Sequence, residues 1–192
     1  MKRRTMLNVT VATAALALAL LAGCTTNKGA GSTPEQQKAE IEKDAAATLS
    51  ALYSSAKGSQ ELASKARGIL VFPKVYAGGL GIGGEYGEGV LHVGGKTVDY
   101  YKTTSVSFGF QAGAQSKALV FMFMTQEALD KFRSGKGWTA GADASVALVK
   151  MGANGTVDTA SAGAAVNAFA LANGGLMFAA TIDGTKVSKL DF

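Results

Sequence analysis

The chain has 192 residues, 47% of them hydrophobic, so one domain with a real core is the natural expectation. Its formal charge is +5, but Lys2, Arg3 and Arg4 supply three of the nineteen basic residues, and the remaining sixteen face fourteen acidic ones. That near balance excludes a strongly basic nucleic-acid binder, and a single cysteine excludes a disulfide framework.

The N-terminus reads as an export signal. Lys2-Arg3-Arg4 is a positive n-region, and Val9 to Leu21 is an apolar stretch too short for a comfortable membrane span. Leu21-Ala22-Gly23-Cys24 resembles a bacterial lipobox, in which the cysteine carries the acyl chains and becomes the first residue of the mature protein. An ordinary signal-peptide cleavage site with an incidental cysteine is the competing reading. Arg3-Arg4 also resembles a twin-arginine export signal, though paired basic residues are common in such regions. Thr25 follows the cysteine where an inner-membrane retention signal would carry Asp, which points to the outer membrane, facing the periplasm. The expected organisation is a signal peptide over 1–23, a flexible tether over 24–33 and one domain over 34–192.

Pro34 suits the first turn of a helix, with Thr33 as its cap. Ile41, Ala45, Leu49, Leu52, Tyr53 and Ala56 recur at helical spacing, and the other face carries both charge signs. This predicts a helix ending near Gly58 that docks its apolar stripe on the domain rather than lying on a membrane. Ser59 can cap a second short helix through Ala66.

Gly68 to Phe72 is a β-type run ended by Pro73, and glycine then occupies nearly every other place from Gly78 to Gly89. Alternating glycine leaves one strand face bare, so another backbone can approach. Gly79, Gly81 and Gly84 match the spacing of a dinucleotide-binding loop. The residues that follow favour strand over the helix that motif needs, so the match is read as chance. Gly94-Gly95 marks a turn. Val106, Phe108, Phe110, Ala112 and Ala114 alternate with polar or glycine residues and predict a strand with one buried face. Ala118 to Met124 is continuously apolar and predicts a strand covered on both faces. Thr125 caps a helix that Gly135 ends. Strands are expected over Ala142 to Lys150, Thr156 to Leu171, Gly175 to Ile182 and Lys186 to Phe192, with turns at Asn154-Gly155 and Asp183-Gly184.

No active site is visible. His92 is the single histidine, Glu85 and Glu88 should point to opposite faces of one strand, and no metal cluster or phosphate loop occurs. A non-enzyme without a cofactor or metal is therefore expected. The remaining candidates are cations: Lys131, Arg133 and Lys136 beside Trp138, and Lys186 with Lys189. Each set could meet anionic phospholipid, but for the first the favoured reading is cations at a helix C-terminus beside a core tryptophan.

Ala66-Arg67-Gly68-Ile69, Val71-Phe72-Pro73-Lys74, the Gly78–Gly89 run, Asp99-Tyr100-Tyr101, Ser107 to Gln115, Phe132 with Gly137-Trp138, and Gly184-Thr185-Lys186 follow one another in order. Together they resemble the SYLF domain, also called the yeast actin-binding type, over roughly residues 35–192. The resemblance implies a phosphoinositide- and actin-binding family in eukaryotes, and in bacteria exported lipoproteins of unsettled role. The expected fold is α+β: an N-terminal amphipathic helix on a twisted, mostly antiparallel sheet that can curl into a barrel-like form. The expected protein is an envelope lipoprotein anchored through Cys24 and binding lipid at the membrane surface. The alternative is a structural or protein-interaction lipoprotein with no lipid ligand.

Overall fold

The computed structural model describes residues 32–109, 115–135, 137–149, 156–157, 163–172, 175–176, 182 and 184–192. Pro34–Phe192 forms one compact unit, distinct from Met1–Thr33. The expected signal peptide, Cys24 and most of the tether lie outside the described residues, as do Lys136 and the Asn154-Gly155 turn.

The described elements run in the order α1 (Pro34–Ser55), α2 (Ser59–Lys65), β1 (Gly68–Val93), β2 (Lys96–Gly109), β3 (Gln115–Phe123), α3 (Gln126–Ser134), β4 (Trp138–Thr139), β5 (Val146–Leu148), β6 (Val166–Ala172), β7 (Gly175–Leu176) and β8 (Lys186–Lys189). The strands form one curled sheet, a half-barrel ordered β4-β8-β2-β1-β3-β6-β5, with β7 beside β6. The protein is α+β with its helix N-terminal to the sheet, as the pattern predicts. Every described strand pair is antiparallel except β5 with β6.

β1 organises the sheet. Its first part pairs with β3 and its second part with β2. The expected break at Pro73 does not occur: the strand continues, with a register shift between Phe72 and Val75. Proline has no amide to donate, and a bulge is where a strand tolerates that loss. The strand then curls back on itself. A Cβ added to Gly89 would lie 2.3 Å from the Val71 carbonyl oxygen, and one on Gly87 would lie 2.8 Å from that of Lys74. The bare glycine face is thus what lets the two halves of β1 approach. Gly94 and Gly95, at φ 60° and 75°, make the two-residue turn into β2.

Strand alternation sorts the apolar residues into two cores. Leu70, Phe72, Leu91, Tyr101, Leu119, Phe121 and Phe123 face the inside of the curl, where Leu129, Phe132 and Trp138 join them. Val71, Val90, Val120, Met122 and Phe169 face the other way and are covered by Ile41, Ala45, Leu52 and Ala56. β3 is therefore buried on both faces, as its unbroken apolar run predicts. The stripe of α1 docks on the sheet, also as expected. Its polar face adds Lys74–Asp44 at 2.5 Å and the Tyr100 hydroxyl to Glu42 at 2.5 Å.

Several local expectations change. α2 is capped by the backbone of Gly58 at φ 92°, not by the Ser59 side chain, which donates back to the Ala56 carbonyl at 2.7 Å. The strand expected over Ala142–Lys150 shrinks to Val146–Leu148. Gly141 at φ 85° and Asp143, whose carboxylate accepts the Thr139 N–H at 2.6 Å, form a turn instead. The strand expected from Thr156 is described as strand only from Val166. Thr125 does cap α3, accepting the Ala128 N–H at 3.2 Å.

Candidate functional site

The pairing of β4 with β8 brings Lys186 beside the connection that follows α3, while Lys189 lies three residues further along β8 and, by alternation, on the other face from Lys186. β4 follows α3 directly and pairs with β8, so Trp138 lies opposite Val187 and Thr139 opposite Lys186. The Lys186 stem runs along this connection, its Cε 3.7 Å from where a Gly137 Cβ would sit. The end of α3, with Lys131 and Arg133, and the start of β8 are thereby neighbours. Lys136 belongs to the same connection but lies outside the described residues.

Trp138 does not share the surface with them. It is 3% exposed and packs edge-on to Phe121 at 5.6 Å and Phe132 at 5.6 Å. Alternation explains the split: Trp138 and its partner Val187 point into the curl, so Thr139 and Lys186 point away from it. The tryptophan is a core residue whose ring is not at the surface.

The other cations differ in what they already touch. The Lys131 ammonium donates to the Asp143 carbonyl at 2.7 Å, tying α3 to the turn after β4. Lys189 pairs with Asp99 at 3.0 Å across β8 and β2. Arg133 and Lys186 are both exposed. The Tyr101 ring packs against Phe132 at a tilt, with centroids 4.8 Å apart. Its hydroxyl is pushed up to about 12, mainly by burial and further by Asp99, against a lowering by Arg133. Tyr101 is therefore a neutral core residue at any physiological pH.

Register also defines a row that the sequence did not suggest. Tyr86 of β1 pairs with Thr104 of β2, Thr104 with Lys186 of β8, and Lys186 with Thr139 of β4. Cross-strand partners share a face, so Tyr86, Thr104 and Lys186 stand side by side on the outer face. With strands about 4.8 Å apart, Lys186 is roughly 10 Å from Tyr86. Tyr86 is 45% exposed, and its hydroxyl, held at about 12 by burial and by its hydrogen bond to Glu88 at 2.8 Å, is a fixed proton donor.

Glu85 and Glu88 face opposite sides, as alternation predicts. Glu88 accepts from Gln37 of α1 at 3.2 Å, while Glu85 pairs with Lys117 at 2.8 Å and accepts from Ser105 at 3.0 Å. The Glu85–Lys117 side chains are only 14% and 13% exposed, so this is a largely buried ion pair. His92 is half-buried, and desolvation pulls its pKa down against a smaller upward pull from Glu42. Among the described residues no group of three His, Cys, Asp or Glu side chains could hold a metal. A cleft of about 320 Å³ lies between α1 and the sheet, lined by Asp44, Thr48, Pro73, Lys74, Lys117 and Leu171. The Lys74–Asp44 and Lys117–Glu85 pairs already engage its charges with one another.

Comparison with protein families finds that residues 104–191 match the Ysc84 model, described as Las17-binding protein actin regulator. Over those residues the chain is similar to the SYLF domain. The match begins inside β2 and runs through β8, so it contains β3, α3 and the four cations Lys131, Arg133, Lys186 and Lys189. α1 and β1 precede it. No curated protein matches this sequence.

Proposed function

We propose that this protein is a bacterial envelope lipoprotein, anchored by acyl chains on Cys24, whose SYLF domain contacts lipid at the membrane surface. The observation that carries the anchor is the Leu21-Ala22-Gly23-Cys24 sequence holding the chain's one cysteine. The compact unit starting at Pro34 leaves a tether of about ten residues, with a reach of about 30 Å. So short a leash holds the domain at high effective concentration near the bilayer, where weak attraction matters. Thr25 supports the outer membrane, facing the periplasm.

Lipid contact draws on Lys131, Arg133 and Lys186 around the connection between α3 and β4, with Lys136 in that connection and Lys189 further along β8 on its other face. Cations near an anionic surface contribute about 1 kcal/mol each, decaying within a Debye length. Phosphatidylglycerol or another anionic phospholipid is the fitting ligand chemistry. Actin regulation, which belongs to the family's description, forms no part of this reading, because an envelope holds no actin. A second reading draws on the internal contacts of Lys131 and Lys189: a structural or protein-interaction lipoprotein whose cations brace its own fold.

Flotation of the unacylated Cys24→Ser chain on anionic and neutral vesicles separates the two. Reversing Lys131, Arg133 and Lys136 to Glu should lower flotation on anionic vesicles, and added salt should do the same to the unreversed chain. Equal flotation with and without the reversals would discard the lipid contact at this edge.

A further inference from the structure

Val106 breaks the pattern its own sequence sets. The alternation from Ser105 onward marks Val106 for a buried face, yet it is 69% exposed. It is the most exposed of the described large apolar residues, and it pairs with Gly84, two residues along β1 from Tyr86. Alternation sets Val106, Thr104 and Tyr86 on the outer face, and Tyr76, also 45% exposed, follows the same alternation along β1. Among the described residues, α1 contacts this face at Glu88 and at Lys74. Beyond those contacts the described sheet presents a tyrosine, a valine and a lysine in adjoining rows.

We propose that this outer face, formed by Tyr86 and Val106 with Lys186 at its border, is the surface that the domain lays on the bilayer holding its own anchor. This rests on the anchoring of Cys24. It does not depend on the cations of α3, which packs inside the curl, and it names the outer face of the sheet as the part of the domain that lies on lipid. The tether ends at Pro34, and Gln37, in the first turn of α1, bonds to Glu88, the same carboxylate that accepts from Tyr86. α1 therefore begins beside this face. The side-chain chemistry fits a headgroup boundary. Tyrosine places an apolar ring below and a hydroxyl at the polar layer, valine contributes apolar surface, and lysine reaches anionic headgroups. Phosphatidylglycerol-containing vesicles supply that boundary, and free phosphate supplies only the charge.

The test uses the acylated chain carrying Val106→Cys. Cys24 holds the acyl group, so the introduced thiol takes an environment-sensitive dye alone. A second acylated chain carries the dye through Val98→Cys, at a site 37% exposed near the Gly94-Gly95 turn. On phosphatidylcholine–phosphatidylglycerol vesicles the dye at 106 should shift to the blue and lose access to an aqueous quencher, while the dye at 98 should change little. Phosphate in place of vesicles should leave both dyes wet. A chain that floats with the vesicles while its dye at 106 stays wet overturns this surface and leaves the anchor standing. A chain that fails to float overturns both. A dye that is dry without vesicles, with a doubled molecular mass, would mean that a second copy covers the face, and would also overturn the proposal. The unacylated Cys24→Ser chain gives an independent reading: adding Tyr86→Ser and Val106→Ser should reduce its flotation on the same vesicles, and undiminished flotation counts against the face.

Discussion

Replacing Gly89 by alanine tests the curl of β1 directly. An added Cβ would stand 2.3 Å from the Val71 carbonyl oxygen and 2.5 Å from Phe72 Cδ1. The first of these is backbone, in a residue that pairs with Val120 of β3, so it cannot swing aside. Relief requires the two halves of β1 to separate by about an ångström, which disturbs a core packed at crystal-like density. Overpacking of this kind costs typically 1–3 kcal/mol, and a backbone obstacle puts Gly89→Ala at the upper end, about 3 kcal/mol. For a domain with total stability of about 5–15 kcal/mol this is a large fraction. Gly78→Ala is the matched control, because nothing lies within 4 Å of its added Cβ. It should be neutral or stabilise by up to about 1 kcal/mol, through a less flexible unfolded chain. Urea unfolding followed by circular dichroism should show the Gly89→Ala midpoint lower by about 1 M or more and the Gly78→Ala midpoint unchanged or higher. Equal midpoints for the two variants would refute the idea that close backbone approach selects the glycines of β1.

Three further outcomes follow from single contacts. Lys117→Met should destabilise by about 2 kcal/mol, below the 3–5 kcal/mol of a fully buried pair, because it strands the Glu85 carboxylate with Ser105 as its one remaining bond. Adding Glu85→Gln should recover part of that loss in the same urea assay. His92 has a depressed folded pKa, so the unfolded chain binds its proton more readily. Stability should therefore be complete above the ordinary value of 6.5 and fall as pH drops through it, and His92→Gln should flatten that stretch of a melting-temperature profile. Leu129→Ala should cost about 2–5 kcal/mol by thermal unfolding, since Leu129 is fully buried and its Cδ1 fills the space over Gly68.

What could be read from the chain alone divides by range of interaction. The α1 stripe, the doubly buried run of β3, the Thr125 cap and the Gly94-Gly95 turn are local signals, and each is fixed by residues within a few positions of one another. Pro73 misled because a bulge accommodates it, and the bulge depends on β3, over forty residues away in sequence. The facing of Trp138 is fixed by its pairing with Val187, and the residues around α3 offered a core tryptophan only as one of two readings. The row from Tyr86 to Lys186 joins residues a hundred positions apart through two strand registers, one of them in a β1–β2 pair shifted between Leu91 and His92. Even so, one clue was present: a valine in clean alternation that the fold then leaves uncovered by α1. The cations were legible as candidates, but the placing of Lys186 beside the end of α3 was not, because it needs β4 to pair with β8.

Fractionation of cells producing the wild-type and Cys24→Ala chains tests the central claim most directly. The wild-type protein should sediment with membranes, resist extraction by high salt and yield to detergent, and the Cys24→Ala protein should move to the soluble fraction. A Cys24→Ala protein that stays in the membrane pellet through high salt would contradict the acyl anchor and, with it, the membrane-tethered account of this domain.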